Sequence, residues 1–302
     1  MKPVGIALAL LAAAVIAAEP PQPRRWTPEA IASDEYESSP TFSPDGRELI
    51  FMRADPSFRR YRLLLSRCVD GRWTAPEPPP FAAPSSVRPV NEGDPFISAD
   101  GRRLYFISTR PDPPERPPGR DDFDIWRVHR QPDGAWGTPQ RLPAPVNSNA
   151  SELLPREDAQ GHLLFGSHRP GGFGQGDIWR AKPQSKDGSR WSVANLGAPI
   201  SSAANEYEAE LSRDGRTLVL VVDRGDRSHL VRFTLDAAGR WVDKGRVPAR
   251  PDVFQVGPLL SPRAERLLFA QADGAQPTRS GELFLIDLVP NATEDWPPRC
   301  GS

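Results

Sequence analysis

The sequence predicts an all-β protein: a five-bladed β-propeller of four-stranded antiparallel blades, closed by an N-terminal strand. Three observations predict it. First, the pattern E-x-x-P-x-x-S-x-D-G recurs over residues 37–46, 92–101, 152–161, 206–215 and 255–264, the last three copies being weaker. The copies begin 55, 60, 54 and 49 residues apart, and self-similarity at such a period marks stacked supersecondary units. Second, each copy is followed by the same succession of short apolar runs and turns. Third, the piece missing from the last copy stands at the other end of the chain.

The succession runs as follows. The strand carrying the Pro and Ser of the motif ends in the Asp-Gly turn. A second strand follows: Leu49-Ile50-Phe51, Leu104-Tyr105-Phe106, Leu163-Leu164-Phe165, Leu218-Val219-Leu220 and Leu267-Leu268-Phe269. After a loop comes a third, at Arg62-Leu63-Leu64-Leu65, Asp124-Ile125-Trp126-Arg127, Asp177-Ile178-Trp179-Arg180, His229-Leu230-Val231-Arg232 and Glu282-Leu283-Phe284-Leu285. A turn before Trp73, Trp136, Trp191 and Trp241 opens the fourth. Clusters of Gly, Asp, Asn and Pro separate these runs, and four short strands per repeat is the arithmetic of a propeller blade. The fifth repeat lacks its Trp turn, and Arg25-Trp26-Thr27-Pro28 supplies a match before the first repeat. That segment is expected to complete the last blade and so remove the exposed edges of an open array. The tryptophans at repeat-equivalent positions read as packing between blades; Trp296 has no repeat partner.

The repeats resemble the WD-repeat-like Pro-Asp β-propeller family, the TolB-type propeller. The resemblance is carried by Ser43-Pro44-Asp45-Gly46 and by the stretch from Arg169 through Gly171, Gly172, Phe173, Gly174 and Gly176 to Asp177-Ile178-Trp179. It spans residues from about 25 to 288. It implies the fold and no single activity, because function lives in sites grafted on a fold.

The domain plan is a signal peptide over 1–18, a propeller over 24–290 and a C-terminal tail over 291–302. Lys2, the apolar run from Val4 to Ile16 and the small residues Ala17 and Ala18 make a secretory signal, and the run is too short to span a bilayer. The product is therefore expected in the periplasm or outside the cell, as a monomer. Lys plus Arg number 38 and Asp plus Glu 39, a formal charge of −1 that does not favour nucleic acid. The two cysteines, Cys68 and Cys300, form a possible disulfide across the join between the first and last blades.

The candidate ligand face is the one opposite the Asp-Gly turns. It collects Glu37, Glu92, Glu152 and Glu206, with Gln255 in the fifth place, and Arg110, Arg169 and Arg224 from the following loops. Asp94 and Glu208 stand two residues past the repeated Glu, on the expected same strand face, and break the repeat. Two readings remain open. A ring of carboxylates can bind a polar ligand or supply paired acids for glycan cleavage, a chemistry known on five-bladed propellers. A residue repeated in every blade more often ties blades together, by pairing with the arginines. No cofactor is expected, a divalent cation in the channel being the one alternative left open. The four histidines show no zinc spacing, no G-x-S-x-G elbow is present, and the glycine loop before Asp177 leads into a strand, so it is no phosphate cradle. The leading expectation is a non-enzymatic scaffold engaging a protein or cell-envelope component. The alternatives are a glycan-acting hydrolase or lyase and a cation- or ligand-binding structural module.

Overall fold

The Asp-Gly turn explains the motif. Ser43 Oγ donates to Asp45 Oδ1, the amide of Arg47 donates to the same oxygen at 3.1 Å, and Gly46 N donates to Ser43 O at 2.8 Å. Closing that turn puts Gly46 at φ +68°, a left-handed conformation that costs glycine little. The same bonds recur at Ser98, Asp100 and Gly101 and at Ser212, Asp214 and Gly215. In the last copy Ala264 adopts the left-handed conformation, at φ +56°.

The computed structural model describes residues 21–84, 90–111, 121–185, 187–272 and 280–301; the signal segment 1–18 lies outside them. Among the described residues there is no helix, and none long and apolar enough to cross a membrane. After β1 (Arg24–Arg25), the first unit is β2 (Tyr36–Phe42), β3 (Glu48–Ala54), β4 (Tyr61–Val69) and β5 (Arg72–Trp73). The second is β6 (Glu92–Ile97), β7 (Arg103–Ser108), β8 (Asp124–His129) and β9 (Gln140–Arg141). The third is β10 (Glu152–Glu157), β11 (Leu163–Ser167), β12 (Asp177–Pro183) and β13 (Trp191–Asn195). The fourth is β14 (Asn205–Leu211), β15 (Thr217–Asp223), β16 (Ser228–Leu235) and β17 (Trp241–Arg246), and the chain ends with β18 (Gln255–Leu260), β19 (Arg266–Ala272) and β20 (Gly281–Asp287).

The second, third and fourth units are separate four-stranded antiparallel sheets. The remaining strands form one eight-stranded sheet, β18-β19-β20-β2-β3-β4-β5, with β1 on β20. Its two halves meet at a single parallel pairing, Tyr36 with Gly281. Glycine permits it: a Cβ at position 281 would lie 2.2 Å from the Tyr36 ring. The N-terminal strand does pair where the repeat count asks, Arg24 with Leu285 and Arg25 with Phe284. The outer strands are shorter than expected. Trp136 makes only an isolated bridge to Arg130, and β9 starts after Gly137 and Pro139, neither of which suits a ladder.

The core lies between units. Ile50 and Leu65 of the first pack with Leu104, Phe106 and Trp126 of the second; Tyr105 and Ile125 pack in turn with Phe165 and Trp179 of the third. A cluster around Phe269 joins the fourth unit, β18 to β20 and the first unit's Tyr36 and Ala54. Each such Leu or Phe contributes roughly 1.5–3 kcal/mol on burial. No unit buries its faces alone, which is why the repeats must stack. Cys68, at the end of β4, is bonded to Cys300 across 232 residues and fastens the tail. Trp296 is thereby buried to 8% exposure, 6.2 Å from the Phe42 ring, and its carbonyl accepts from Arg266.

Candidate functional site

The repeated carboxylates are held inside their own units. Glu92 accepts from Ser108 Oγ at 2.9 Å, from Arg110 Nε at 3.0 Å and from the amide of Ala83. Glu152 accepts from Ser167 Oγ, Ser148 Oγ and Arg169 Nη2, the last at 2.9 Å. The arginines also stack on aromatic rings: Arg110 lies 5.1 Å from the centroids of Phe106 and Trp126, and Arg169 lies 5.0 Å from Phe165. Glu37 takes Ser33 and Arg53 instead, and Glu206 takes Ser202 Oγ and the Ser202 amide. Arg224 is exposed and does not pair with Glu206. In the fifth place Gln255 donates to the carbonyls of Arg250 and Val253 and meets His229 Nδ1 at 3.1 Å. These four glutamates are 0–4% exposed, so they tie each unit together rather than line an open ring.

Sequence reasoning missed two members of this cassette. The serine two residues before each arginine, Ser108 and Ser167, is legible as Phe-x-Ser-x-Arg. The loop serine four residues before the Glu, at Ser33, Ser148 and Ser202, is legible as a second repeat. Arg53 was hidden because it comes two residues after Phe51, not four, and faces Glu37 directly across the ladder.

Asp94 and Glu208 go elsewhere. Every inner strand carries a bulge just after its Glu or Gln, between Gly93 and Phe96 in β6 and between Glu206 and Glu208 in β14. A bulge re-aims the side chains beyond it, so the expected shared strand face does not form. Asp94, at φ +50°, instead reaches between inner strands: its Oδ1 accepts from Ser39 Oγ of β2 at 2.7 Å and its Oδ2 from Leu154 N of β10 at 3.0 Å. Glu208 Oε2 accepts from Gly257 N of β18 at 2.7 Å. Gly257 is itself required, because a Cβ there would lie 2.4 Å from Ser39 N. Ser39, Asp94, Leu154, Glu208 and Gly257 thus form one layer in which inner strands bond to their neighbours.

Burial raises both acids, and proximity sets them against each other. Glu208 is pushed up to about 8, first by desolvation and then by the Asp94 charge. Asp94 is also raised by burial, while Ser39 and Leu154 favour its ionised form. Asp94 has two donors and Glu208 one, which favours the ionised form at Asp94 more than at Glu208. Among the described residues no group donates to Glu208 Oε1, and Glu208 keeps 7% exposure.

Two features flank this layer. On the side carrying the repeated Glu, Tyr36, Phe58, Tyr61, Phe254 and Phe123 form a chain of ring contacts between 4.9 and 6.2 Å. On the Asp-Gly side, Arg156 of β10 pairs with Glu210 of β14, donates to Pro258 O of β18 and lies 5.3 Å from the Phe96 ring of β6. Beyond it opens a cavity of about 390 Å³ lined by Thr41, Phe96, Arg103, Glu157, Glu210 and Trp296. Its acids are satisfied: Glu157 by Arg103 and Tyr105, Glu210 by Arg156 and Leu260 N. Among the described residues no group of three or more His, Cys, Asp or Glu is placed to hold a metal ion.

No family model and no curated protein sequence matches the chain. Solved structures do. TolB of Acinetobacter baumannii superposes with a TM-score of 0.51 at 18% identity, over 86% of this chain and 56% of that one, so this chain spans a little over half of that protein. Zg3597, a family 117 glycoside hydrolase of the marine bacterium Zobellia galactanivorans, gives 0.52 at 10% identity over 89% of this chain and 90% of that one. A periplasmic gluconolactonase of Pseudomonas aeruginosa gives 0.46 at 15% identity over 82% and 70%. The first two likenesses carry the fold: all-β, built from four-stranded antiparallel sheets like those of TolB-type propellers. They also correct the expectation of a non-enzymatic scaffold. The same architecture, over nine-tenths of its length, is that of a glycoside hydrolase, so a propeller without a familiar catalytic motif is no argument against catalysis.

Proposed function

We propose that the chain is a five-bladed, closed β-propeller that acts on a glycan as a hydrolase, with Glu208 and Asp94 as its acid and base. The blade count is supported by five inner strands that each carry a bulge, and closure by β1 on β20 and by Gly257 against Ser39. The observation that carries the activity is the two unrepeated buried acids, Asp94 and Glu208, within electrostatic reach of each other beside a cluster of aromatic rings. Two carboxyl groups with different surroundings are what glycosidic cleavage requires.

In this reading Glu208 gives its proton to the glycosidic oxygen as the bond to the anomeric carbon breaks. Asp94, as carboxylate, faces the positive charge that develops there and either bonds to that carbon or takes a proton from the water attacking it. Water supplies the hydroxyl of the new sugar end, and its other proton restores the acid. The work of the fold is to keep one carboxyl protonated near neutral pH, which burial and the neighbouring charge achieve. Export to an oxidising compartment fits the Cys68–Cys300 bond.

The test is release of new reducing ends from a panel of neutral, amino and acidic glycans by the purified protein, beside Glu208→Gln and Asp94→Asn. Cleavage by the parent and none by either variant is the expected result. Cleavage that persists in both variants would remove these residues from the mechanism. No cleavage of any glycan would remove the activity itself.

A further inference from the structure

The acid layer holds more negative charge than its surroundings neutralise. Asp94, Glu208 and Glu210 lie within electrostatic reach of one cation, Arg156, which is already bound to Glu210 and to two backbone carbonyls. Three of the repeated glutamates each hold an arginine: Glu37 holds Arg53, Glu92 holds Arg110 and Glu152 holds Arg169. Among the described residues Asp94, like Glu206, has only a hydroxyl and an amide, and Glu208 has only an amide. A buried carboxylate with no cation of its own is costly unless something positive arrives.

The Tyr36 hydroxyl is the second, independent sign. Tyr36 is 1% exposed, its hydroxyl has no hydrogen-bond partner among the described residues, and it lies within electrostatic reach of Glu208 and Tyr207. Buried hydroxyls are almost always paired, so an orphan facing an acid layer marks the place of a missing polar group. The third sign is the mouth. Phe58 is held at φ +53° by a tight turn in which Asp55 Oδ1 accepts from the amides of Ser57 and Arg59. That strained conformation places its ring against Tyr36 at 4.9 Å and Phe254 at 5.4 Å. Aromatic faces beside unneutralised carboxylates attract organic cations and repel anions.

Resting on the glycan reading above, we infer that this site takes a sugar bearing a free, positively charged amine, an amino-glycan, in preference to its N-acylated or acidic counterparts. The ammonium lies against the aromatic rings and pairs with the Asp94 carboxylate. The Tyr36 hydroxyl, within reach of the same layer, meets a sugar hydroxyl. Uronic acids and sulfated sugars are disfavoured, because among the described residues the cation within reach of Asp94 and Glu208, Arg156, is already held by Glu210.

The test is equilibrium binding by titration calorimetry, with no turnover required. The probes are tetramers of glucosamine, of N-acetylglucosamine and of galacturonic acid, in low salt. The glucosamine tetramer is expected to bind about tenfold or more tightly than the N-acetylated one, with the acidic tetramer weakest. Asp94→Asn should erase the preference, and Tyr61→Leu, at the more exposed mouth, should weaken it if the first variant does not fold. Equal binding of the first two tetramers, tighter binding of the acidic one, or no binding of the glucosamine tetramer at millimolar concentration overturns the inference. The two proposals fail separately: preferential binding without cleavage sinks the hydrolase, and cleavage without preference sinks the amine.

Discussion

Two sets of buried carboxylates lie only two residues apart in this chain and behave in opposite ways. Glu92, Glu152 and Glu206 sit before the bulge of their strands, and each is enclosed by donors of its own unit. Asp94 sits within the bulge of its strand and Glu208 just past its own, and both reach between units. The repeated residues meet one local problem with related partners: a loop serine at Glu37, Glu152 and Glu206, and an arginine at Glu37, Glu92 and Glu152. The unrepeated ones bond inner strands to one another instead.

The comparison can be broken most severely at the unrepeated pair. Glu208→Gln and Asp94→Asn should each lower turnover by about 10²- to 10⁴-fold, the usual worth of a positioned acid or base. Both should melt close to the parent, and a collapse of the fold in circular dichroism would reassign them as structural. The repeated set should answer the other way. Glu92→Ala strands Arg110 and Ser108 in the core and should cost about 3–5 kcal/mol in urea unfolding. A loss under 1 kcal/mol would mean that the cassette is not what holds its unit. Removing the tail clasp with Cys300→Ser should cost about 2–5 kcal/mol, since the bond closes a loop across 232 residues. Reduction of the parent protein should lower its melting temperature as far as Cys300→Ser does.

The pH response sharpens the same contrast. The folded-state pKa of Glu208 is about 8 and that of Glu37 about 7, both raised first by burial above the ordinary 4.5. Each folded carboxyl therefore binds a proton that its unfolded form has lost. Their contribution is fully present below about pH 4.5 and is lost as pH rises through about 7 and then 8. The melting temperature should fall across that window, and Glu208→Gln should flatten the upper part of the fall. A parent protein whose melting temperature rises from pH 5 to 8 would contradict the burial of these groups. The smallest effect belongs to Arg224, which occupies the place of Arg110 and Arg169 but stands exposed. Arg224→Ala should change stability by less than about 0.5 kcal/mol, far below the same change at Arg110.

Much of this was open to sequence reading. The Asp-Gly turns, the succession of apolar strands and the return of Arg25 to the end of the chain all follow from local residues, because turn chemistry and apolar periodicity act over a few positions. The Cys68–Cys300 pair was open as a possibility, since the repeat count placed the first and last units side by side. Three things were not legible. The bulge that turns Asp94 and Glu208 out of line with Glu92 and Glu206 depends on how the inner strands crowd together. The aromatic mouth draws Phe58, Phe123 and Phe254 from three separate loops. The fusion of the first and last sheets at Tyr36 and Gly281 joins residues far apart in sequence.

By itself, then, the sequence determined what each unit is and that the units must stack, because an apolar strand buried on both faces needs a neighbour. It also showed which carboxylates repeat and which do not. Only the tertiary structure decided which of them are consumed by partners. A carboxylate's charge state depends on the donors, charges and water within a few ångströms of it, and here those come from strands that are distant in sequence.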